Sequence, residues 1–372
     1  MRTMAGRGEL RRYSRHLLIP EVGLAGQERL AAARVLVIGA GGLGSPVLAY
    51  LAAAGVGRIL VVDDDTVDVT NLQRQILYET ADVGAPKAVR AAERLRALNP
   101  QIAIDALPTR FDTTNARELV RLVDVVVDGS DTFATRYLVN DACVLEGKPD
   151  VHGAIFRFDG QVSVFGAPDG PCYRCLYPEP PPEHLVPTCS EGGVLGVLAG
   201  IVGSFQATEA LKLLLGIGTP LIGRVLLIDA LDARVREIRV ARDPACPLCG
   251  EAPTIGEVGT LPAPAPLPVG VPELELDALA DARDGGTVLL DVREPHERAL
   301  GEVPGALAIP ASELEARLHE LDTARTYVVA CRIGSKSRWA AARLREAGFG
   351  RVYHLREGLL ALAARDASFE VF

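Results

Sequence analysis

The sequence is poor in aromatic residues, which make up 5% of its 372 residues, and it contains one Trp and two Met. Basic residues are outnumbered by acidic ones, 39 to 48, so the formal charge at pH 7 is −9. This balance argues against a general nucleic-acid binder or a protein of anionic membrane surfaces. No apolar run predicts a membrane span, and the N-terminus is charged rather than signal-like. We therefore expect a cytoplasmic protein with no nucleic-acid or membrane partner.

Cysteine is also scarce, with seven residues, but it is patterned. Two C-x-x-C pairs, Cys172 with Cys175 and Cys246 with Cys249, are separated by about seventy residues. Four thiolates at paired spacing predict a closed, structural Zn²⁺ site, whereas a redox dithiol would need only one pair. Cys143 falls in an apolar helical pattern and is expected in the core.

Cys189 lies in a polar, glycine-rich segment before a predicted helix, Val194 to Leu215. A thiol near a helix start is a candidate for a reactive residue. An inert thiol is the equally open alternative.

The stretch Arg34 to Asp65 predicts a β–α–β unit with strands at Val35 to Ile38 and Ile59 to Val62. Its glycine turn brings backbone N–H groups and a helix N-terminus to a phosphate, and Asp63 follows the second strand, where such units hold a ribose. The pattern predicts a Rossmann-like, doubly wound α/β sheet that binds a nucleotide. By itself it fits a nicotinamide dehydrogenase equally well.

Polar residues downstream favour phosphoryl chemistry over hydride transfer. Asn71, Arg74 and Lys87 would supply the hydrogen-bond donors and cations that neutralise phosphate charge during displacement, although single cations here could merely coat a helix. A predicted strand, Val123 to Val127, ends near Asp131, a candidate ligand for nucleotide-bound Mg²⁺. Its neighbour Asp128 could do the same or cap the next helix. Further elements are expected at Lys87 to Leu98, Ile102 to Ala106 and Thr114 to Arg121.

Residues 251–272 alternate Pro, Ala and Gly without periodicity, which predicts a semi-rigid linker between domains 1–250 and 273–372. Beyond it, apolar strands are expected at Thr287 to Asp291 and Tyr327 to Ala330. The second runs into Cys331, in a loop that feeds a helix N-terminus. Loop N–H groups, with Arg332, Lys336 and Arg338 nearby, would favour an anionic sulfur that carries sulfane sulfur as a persulfide.

The motifs GAGGLGSPV, VVDDDTVDVTNLQRQ, GAPK, VVVDGSDT, the two cysteine pairs and PTCSEGG occur in that order. Together they resemble the ubiquitin-activating-like adenylyltransferases of molybdopterin and thiamine biosynthesis (MoeB/ThiF type). The resemblance implies ATP as the nucleotide, with Asp131 serving its Mg²⁺ and Cys189 as a conditional thioester cysteine. It implies nucleotide binding by Gly41, Gly42, Asp63, Thr70, Asn71, Leu72, Gln73, Arg74, Lys87, Asp131 and Thr132.

Arg15 has two readings. Taken by its residues, it lies on a basic, amphipathic segment whose charges could simply face solvent. The family resemblance instead implies that Arg15 reaches the nucleotide of the neighbouring subunit in a homodimer. His152 and Arg157 receive no role.

LLDVREPHE, VPGALAIP and CRIGSKSR resemble the single-domain rhodanese family, which implies a small α/β sulfurtransferase domain. Glu302 stands where the family usually has His, a change expected to affect packing. Lys336 replaces a common Arg, so a forked donor becomes a point charge, which leaves donor preference open.

The whole chain thus resembles fused adenylyltransferase–sulfurtransferases. It is expected to adenylate the Gly-Gly carboxylate of a ubiquitin-like sulfur carrier and to supply sulfur from a Cys331 persulfide, charged by a cysteine desulfurase or by thiosulfate. Two alternatives stay open: adenylation with a silent rhodanese docking module, and a dinucleotide oxidoreductase with an appended rhodanese module.

Overall fold

The structure is a computed structural model that describes residues 7–180, 192–259, 270–276 and 286–365, with side chains from residue 10 onward. The described residues divide into two compact units. The first holds residues 7–180 and 192–259, and the second holds 270–276 and 286–365.

The first unit is built on an eight-stranded sheet of order β3-β2-β1-β4-β5-β6-β7-β8. The strands from β3 to β5 in this order are parallel, and β6, β7 and β8 continue the sheet in antiparallel fashion. Their bounds are β1 Arg34–Ile38, β2 Arg58–Val62, β3 Ala103–Leu107, β4 Val125–Asp128, β5 Asp150–Phe156, β6 Asp159–Phe165, β7 Arg224–Asp229 and β8 Arg234–Arg239.

Helices cover both faces of this sheet, which confirms the predicted doubly wound architecture. A large apolar cluster packs α3, α4, α5 and α9 on one face, and a smaller one packs α6 and α7 on the other. The bounds are α1 Arg7–Arg12, α2 Ser14–Leu17, α3 Gly23–Ala32, α4 Gly44–Ala54, α5 Lys87–Leu98, α6 Ala116–Arg121, α7 Phe133–Leu145, α8 Tyr173–Leu176 and α9 Gly196–Leu215.

The strand order reverses between β1 and β4, so the chain passes from β1 outward to β3 and then returns to β4. In open α/β sheets, the loops that diverge at such a point leave a crevice at the carboxyl ends of the strands. The loops after β1 and β4 meet closely here, since a Cβ on Gly39 would lie 3.0 Å from the carbonyl oxygen of Gly129. A ligand site is therefore expected at this edge.

Several predicted elements start one or two residues later than expected. Helix α6 begins at Ala116 rather than Thr114, because Asp112 accepts a hydrogen bond from the backbone N–H of Thr114 and holds a turn there. Strand β4 begins at Val125 rather than Val123. Cys143 lies in α7 and is fully buried, as predicted.

Helix α9 has the length and composition of a membrane span, although we expected no apolar run of this kind from the sequence. It packs against α4, β5 and β6. Its polar side chains Gln206 and Glu209 are buried, and both hydrogen-bond to backbone of the surrounding structure. Such contacts identify a core helix that closes one face of the sheet.

The second unit has a five-stranded parallel sheet of order β11-β10-β12-β13-β9. Apolar clusters line both of its faces. The strands are β9 Glu273–Leu274, β10 Val288–Asp291, β11 Leu307–Ala308, β12 Tyr327–Ala330 and β13 Val352–Leu355, and the helices are α10 Pro295–Arg298, α11 Leu314–Arg317, α12 Ser335–Glu346 and α13 Gly358–Arg365.

Candidate functional site

A cavity of about 500 Å³ opens where the strand order of the first unit reverses. Loops following β1, β2, β3 and β4 all contribute to its wall. Of the residues predicted to bind nucleotide, the cavity brings together Gly41, Gly42, Asp63, Asn71, Arg74, Lys87, Asp131 and Thr132.

Asp63 braces the glycine turn from the end of β2. Its carboxylate accepts hydrogen bonds from the backbone N–H of Ala40 at 2.7 Å and of Asp65 at 2.9 Å. Burial raises the pKa of Asp63, while these donors and the positive charge of Lys87 oppose that rise. The glycine turn itself leaves no room for larger residues, because a Cβ on Gly44 would lie 1.9 Å from the carbonyl oxygen of Gly39.

The cations of the cavity are held in defined positions. Lys87, the first residue of α5, is nearly buried, and its Nζ lies 2.8 Å from a carboxylate oxygen of the exposed Asp65. Arg74 donates from Nη1 to the carbonyl oxygen of Thr70 at 3.1 Å. These contacts place two positive charges at the cavity wall with little need for rearrangement.

The loop after β4 supplies the acidic wall of the cavity. Asp131 is exposed and lines it. Thr132 caps α7, since its Oγ1 accepts from the backbone N–H of Thr135 at 3.2 Å. Asp128 does not cap this helix. It is buried, and its carboxylate binds the N–H of Ser130 and the ring of His152.

Other predicted nucleotide residues lie outside the cavity wall. The hydroxyl of Thr70 donates to Asp68 at 2.6 Å, and Leu72 packs against the larger core cluster. Gln73 abuts the start of α9, where a Cβ on Gly196 would come within 2.2 Å of the Gln73 carbonyl oxygen. Arg15 is exposed on α2 and is not part of the wall in the single chain. Cys189 lies outside the described residues.

Sequence reasoning missed several wall residues. Thr109, Arg110 and Phe111 follow β3, and the rule that ligands bind beyond strand ends would have found them. Gln75 directly follows the predicted site residue Arg74, and Arg136 lies in the first turn of α7, where no strong sequence signal marks it.

The four cysteines of the two C-x-x-C pairs converge in one cluster, which is compatible with zinc. Their sulfur atoms all lie within 4.8 Å of one another. The Sγ–Sγ distances are 3.6 Å for Cys172–Cys246, 3.3 Å for Cys175–Cys249 and 3.9 Å for Cys172–Cys175. Four thiolates at about 2.3 Å from a tetrahedral ion would stand about 3.8 Å apart, so the donor set fits Zn²⁺.

In the second unit, Cys331 follows β12 and is 1% exposed. Its Sγ accepts hydrogen bonds from the backbone N–H groups of Gly334 at 3.2 Å and Ser337 at 3.3 Å. The hydroxyl of Ser337 lies 3.6 Å from the same sulfur. Gly334 has φ +96°, and a Cβ there would lie 2.1 Å from the carbonyl oxygen of Arg356, so the loop requires glycine.

The basic residues of this loop do not all face the sulfur. Lys336 Nζ lies 2.9 Å from the carboxylate of Glu297, which is nearly buried, and Arg338 is exposed. Arg332 is half-buried. The expectation that Glu302 affects packing is not supported by its position, since its side chain is 80% exposed and contacts Arg298 at 3.5 Å.

Comparison with known proteins gives matches for both units. The ThiF family matches residues 13–248, and the rhodanese-like domain matches residues 275–365. The sulfur carrier protein adenylyltransferase of Thermus thermophilus is 59% identical over 255 residues, 67% of this chain and 94% of that protein. The probable adenylyltransferase/sulfurtransferase MoeZ of Mycobacterium tuberculosis is 47% identical over 366 residues, 96% of this chain and 93% of that protein.

Among solved structures, the crystal structure of E. coli MccB with ATP matches with a TM-score of 0.56 and 23% identity. The match covers 64% of this chain and 73% of that one. This likeness concerns the fold.

Proposed function

This chain belongs to the ThiF family, carries a rhodanese-like domain and is an adenylyltransferase and sulfurtransferase, and we propose that it activates and thiolates a ubiquitin-like sulfur carrier. The carrier would present its C-terminal Gly-Gly carboxylate at the cavity of the first unit. The observation that supports this most is the cavity itself, which joins Arg74, Lys87 and Asp131 at one sheet edge.

The cavity fits a nucleoside triphosphate by volume and charge. Small-molecule sites usually enclose about 300–1,000 Å³, and the wall of this one has four cationic side chains and a glycine turn for the phosphates. Gly41 and Gly42 would approach the phosphates, Asp63 would face the ribose, and Asn71, Arg74 and Lys87 would surround the phosphates. Asp131 fits Mg²⁺, which usually takes one or two carboxylates together with phosphates and water.

Adenylation would proceed by attack of the carrier carboxylate on the α-phosphorus. The bond from that phosphorus to the bridging oxygen breaks, and pyrophosphate leaves with the bonding electrons. Lys87 and Arg74 would stabilise the negative charge that spreads over the phosphate oxygens. The product is a mixed anhydride of the carrier and AMP.

Sulfur transfer would begin at Cys331. The N–H groups of Gly334 and Ser337 already donate to its Sγ, and they would stabilise the thiolate that takes up sulfane sulfur. The terminal sulfur attacks the carrier carbonyl, AMP leaves, and an acyl disulfide remains. A second thiol, which we assign to Cys189 or an external dithiol, attacks the Cys331 sulfur. The carrier departs as a thiocarboxylate, and a disulfide forms.

The metal ions, the oligomeric state and the sulfur donor belong to the same proposal. Zn²⁺ would hold the two cysteine pairs together as a structural ion, and Mg²⁺ would accompany ATP. The protein would be a cytoplasmic homodimer in which Arg15 reaches the partner's nucleotide. The sulfur donor would be a cysteine desulfurase or thiosulfate. Molybdopterin, thiamine and tRNA-thiolation pathways all use such a carrier carboxylate.

The decisive experiment combines the full chain with Mg·ATP and each small Gly-Gly protein encoded by the same organism. We expect one carrier to support ATP–pyrophosphate exchange and, with thiosulfate and a dithiol reductant, to gain the mass difference of a thiocarboxylate. Exchange without thiocarboxylate formation would favour adenylation with a silent rhodanese module. NAD binding without any exchange would favour the oxidoreductase reading.

A further inference from the structure

Three buried ionisable residues form a cluster beneath the nucleotide cavity. Asp128 ends β4, and Asp150 and His152 lie on the adjacent strand β5, where His152 is the register partner of Asp128. One ligand-type atom from each of the three lies within 4.8 Å of the others, and all three side chains are 2% exposed or less. The proposed chemistry gives neither Asp150 nor His152 a role.

The hydrogen bonds of the cluster have a direction. His152 Nδ1 lies 3.3 Å from Oδ2 of Asp128, and the side-chain amide nitrogen of Gln161 lies 3.4 Å from His152 Nε2. A carboxylate on one side and an amide donor on the other assign the ring proton to Nδ1. His152 therefore donates to Asp128.

Asp128 connects His152 to the cavity wall through a hydrogen bond to Ser130. Its second oxygen, Oδ1, accepts from the backbone N–H of Ser130 at 2.9 Å, while Gln206 donates to the Asp128 carbonyl oxygen at 2.7 Å. Ser130 and its neighbour Asp131 both line the cavity. The Ser130 carbonyl oxygen has a long contact of 3.4 Å with Arg136. Among the described residues, the shortest side-chain hydrogen bond to Ser130 therefore comes from Asp128.

The pKa shifts of the three cluster residues favour an ionised carboxylate at Asp128 alone. Although burial opposes ionisation, the hydrogen bond from His152 lowers the pKa of Asp128. Burial raises the pKa of Asp150 well above its usual range, and the Asp128 charge adds to the rise. Burial also lowers the pKa of His152. The His152 ring is thus neutral near pH 7, and the Asp150 carboxyl favours its protonated form.

We propose that His152 is a positioning residue for the nucleotide site. Its hydrogen bond to Asp128 fixes the carboxylate that holds the Gly129–Thr132 loop. The loop in turn presents Asp131 to the metal–nucleotide complex. This inference rests on the proposed function. Removing the His152 donor would leave one oxygen of the buried Asp128 carboxylate without a hydrogen bond. The carboxylate would then rotate or take up a proton. Either change loosens its hold on Ser130.

The test uses two variants that place an amide at different points of the ring. In His152→Asn, the amide nitrogen stands close to the position of Nδ1 and can still donate to Asp128. In His152→Gln, it stands close to Nε2 and points towards Gln161. Binding of Mg·ATP to the full chain is measured by calorimetry. We expect His152→Gln to weaken binding about tenfold and His152→Asn to weaken it less than threefold.

A double-mutant cycle then separates positioning from general damage. In an Asp131→Ala background, His152→Gln should weaken Mg·ATP binding less than twofold, because the loop no longer has a ligand to present. Additive losses would overturn the proposal, and so would equal losses for the Asn and Gln variants. If the wild type failed to bind Mg·ATP at all, the proposed function itself would fall.

The cluster could instead hold a metal ion, and the same proteins test this. Metal analysis of the wild type should find only the cysteine-bound zinc. A second equivalent of metal per chain that disappears in Asp150→Ala would overturn the positioning role.

Discussion

In the first unit, strand β1 runs into Gly39, whose φ is +87°, and the chain then enters α4. In the second unit, β12 runs through Cys331 to Gly334, whose φ is +96°, and the chain then enters α12. Both sites thus place a left-handed glycine between a buried parallel strand and a helix N-terminus. At both, backbone N–H groups converge where an anion would be stabilised.

The two sites differ in what their loops enclose. Four strand ends diverge around the first, which leaves a cavity of about 500 Å³ lined by charged side chains. At the second, one loop closes on a single sulfur atom that is 1% exposed and receives two N–H bonds. The same local geometry therefore suits a nucleotide in one unit and a single transferable sulfur atom in the other. The difference teaches that loop divergence, rather than the turn, decides the size of the ligand.

The largest expected effect separates the two sites completely. Cys331→Ala should abolish persulfide formation and thiocarboxylate product, because no other described group occupies the sulfur position. Carrier-dependent ATP–pyrophosphate exchange should stay at the wild-type rate. Mass spectrometry of protein and carrier after incubation with a sulfane donor measures the first, and isotope exchange measures the second. Normal thiocarboxylate production by the variant, with free sulfide excluded, would falsify this division of labour.

The converse variants test the cavity. Lys87→Ala and Asp131→Ala should each slow ATP–pyrophosphate exchange on the order of a hundredfold or more, since each removes a preorganised charge from the phosphate site. Persulfide loading of Cys331 from thiosulfate should be unchanged. Arg58→Ala is a matched control, because Arg58 pairs with Asp105 on the sheet away from the cavity. Near-normal exchange in either test variant would remove that residue from the site.

The sequence was sufficient for the features that depend on local pattern. The β1–α4–β2 unit, the pairing of the cysteines and the strand–Cys331–helix loop follow from periodicity, glycine placement and spacing. The contacts that depend on long-range packing were not predictable. Lys336 pairs with Glu297, which is 39 residues away, and His152 meets Asp128 only through the register of β4 and β5. No local signal encodes such neighbours.

The cysteine cluster extends the comparison to a site whose proposed role is structural. Cys175→Ala should remove the bound zinc and lower the melting temperature of the first unit on the order of 10 °C, because a structural ion contributes directly to folding. The second unit should melt unchanged. Calorimetry with metal analysis measures both. A wild-type protein that contains no zinc when freshly purified would contradict the prediction.

The smallest expected effect compares two ways of burying an ionisable group. Cys331 is buried with N–H donors, whereas Oδ1 of the buried Asp150 has no hydrogen-bond partner among the described residues. Burial and the Asp128 charge raise the pKa of Asp150 in the folded state. The folded protein therefore keeps a proton that the unfolded chain releases above about pH 4. Stability contributed by this group is present at low pH and declines as pH rises towards the folded pKa.

Asp150→Asn removes this dependence, because an amide has no proton to lose. Because the pKa of Asp150 is raised in the folded state, we expect the variant to be more stable than wild type at pH 8. The gain should shrink as the pH approaches 4. Asp141→Asn is the control, because Asp141 is equally buried but bound to Arg174 at 2.7 Å, and its loss should destabilise. Melting temperatures measured between pH 4 and 8 decide the matter. If Asp150→Asn were destabilising at pH 8, the carboxyl would be ionised and paired, and the single-anion description of the cluster would be wrong.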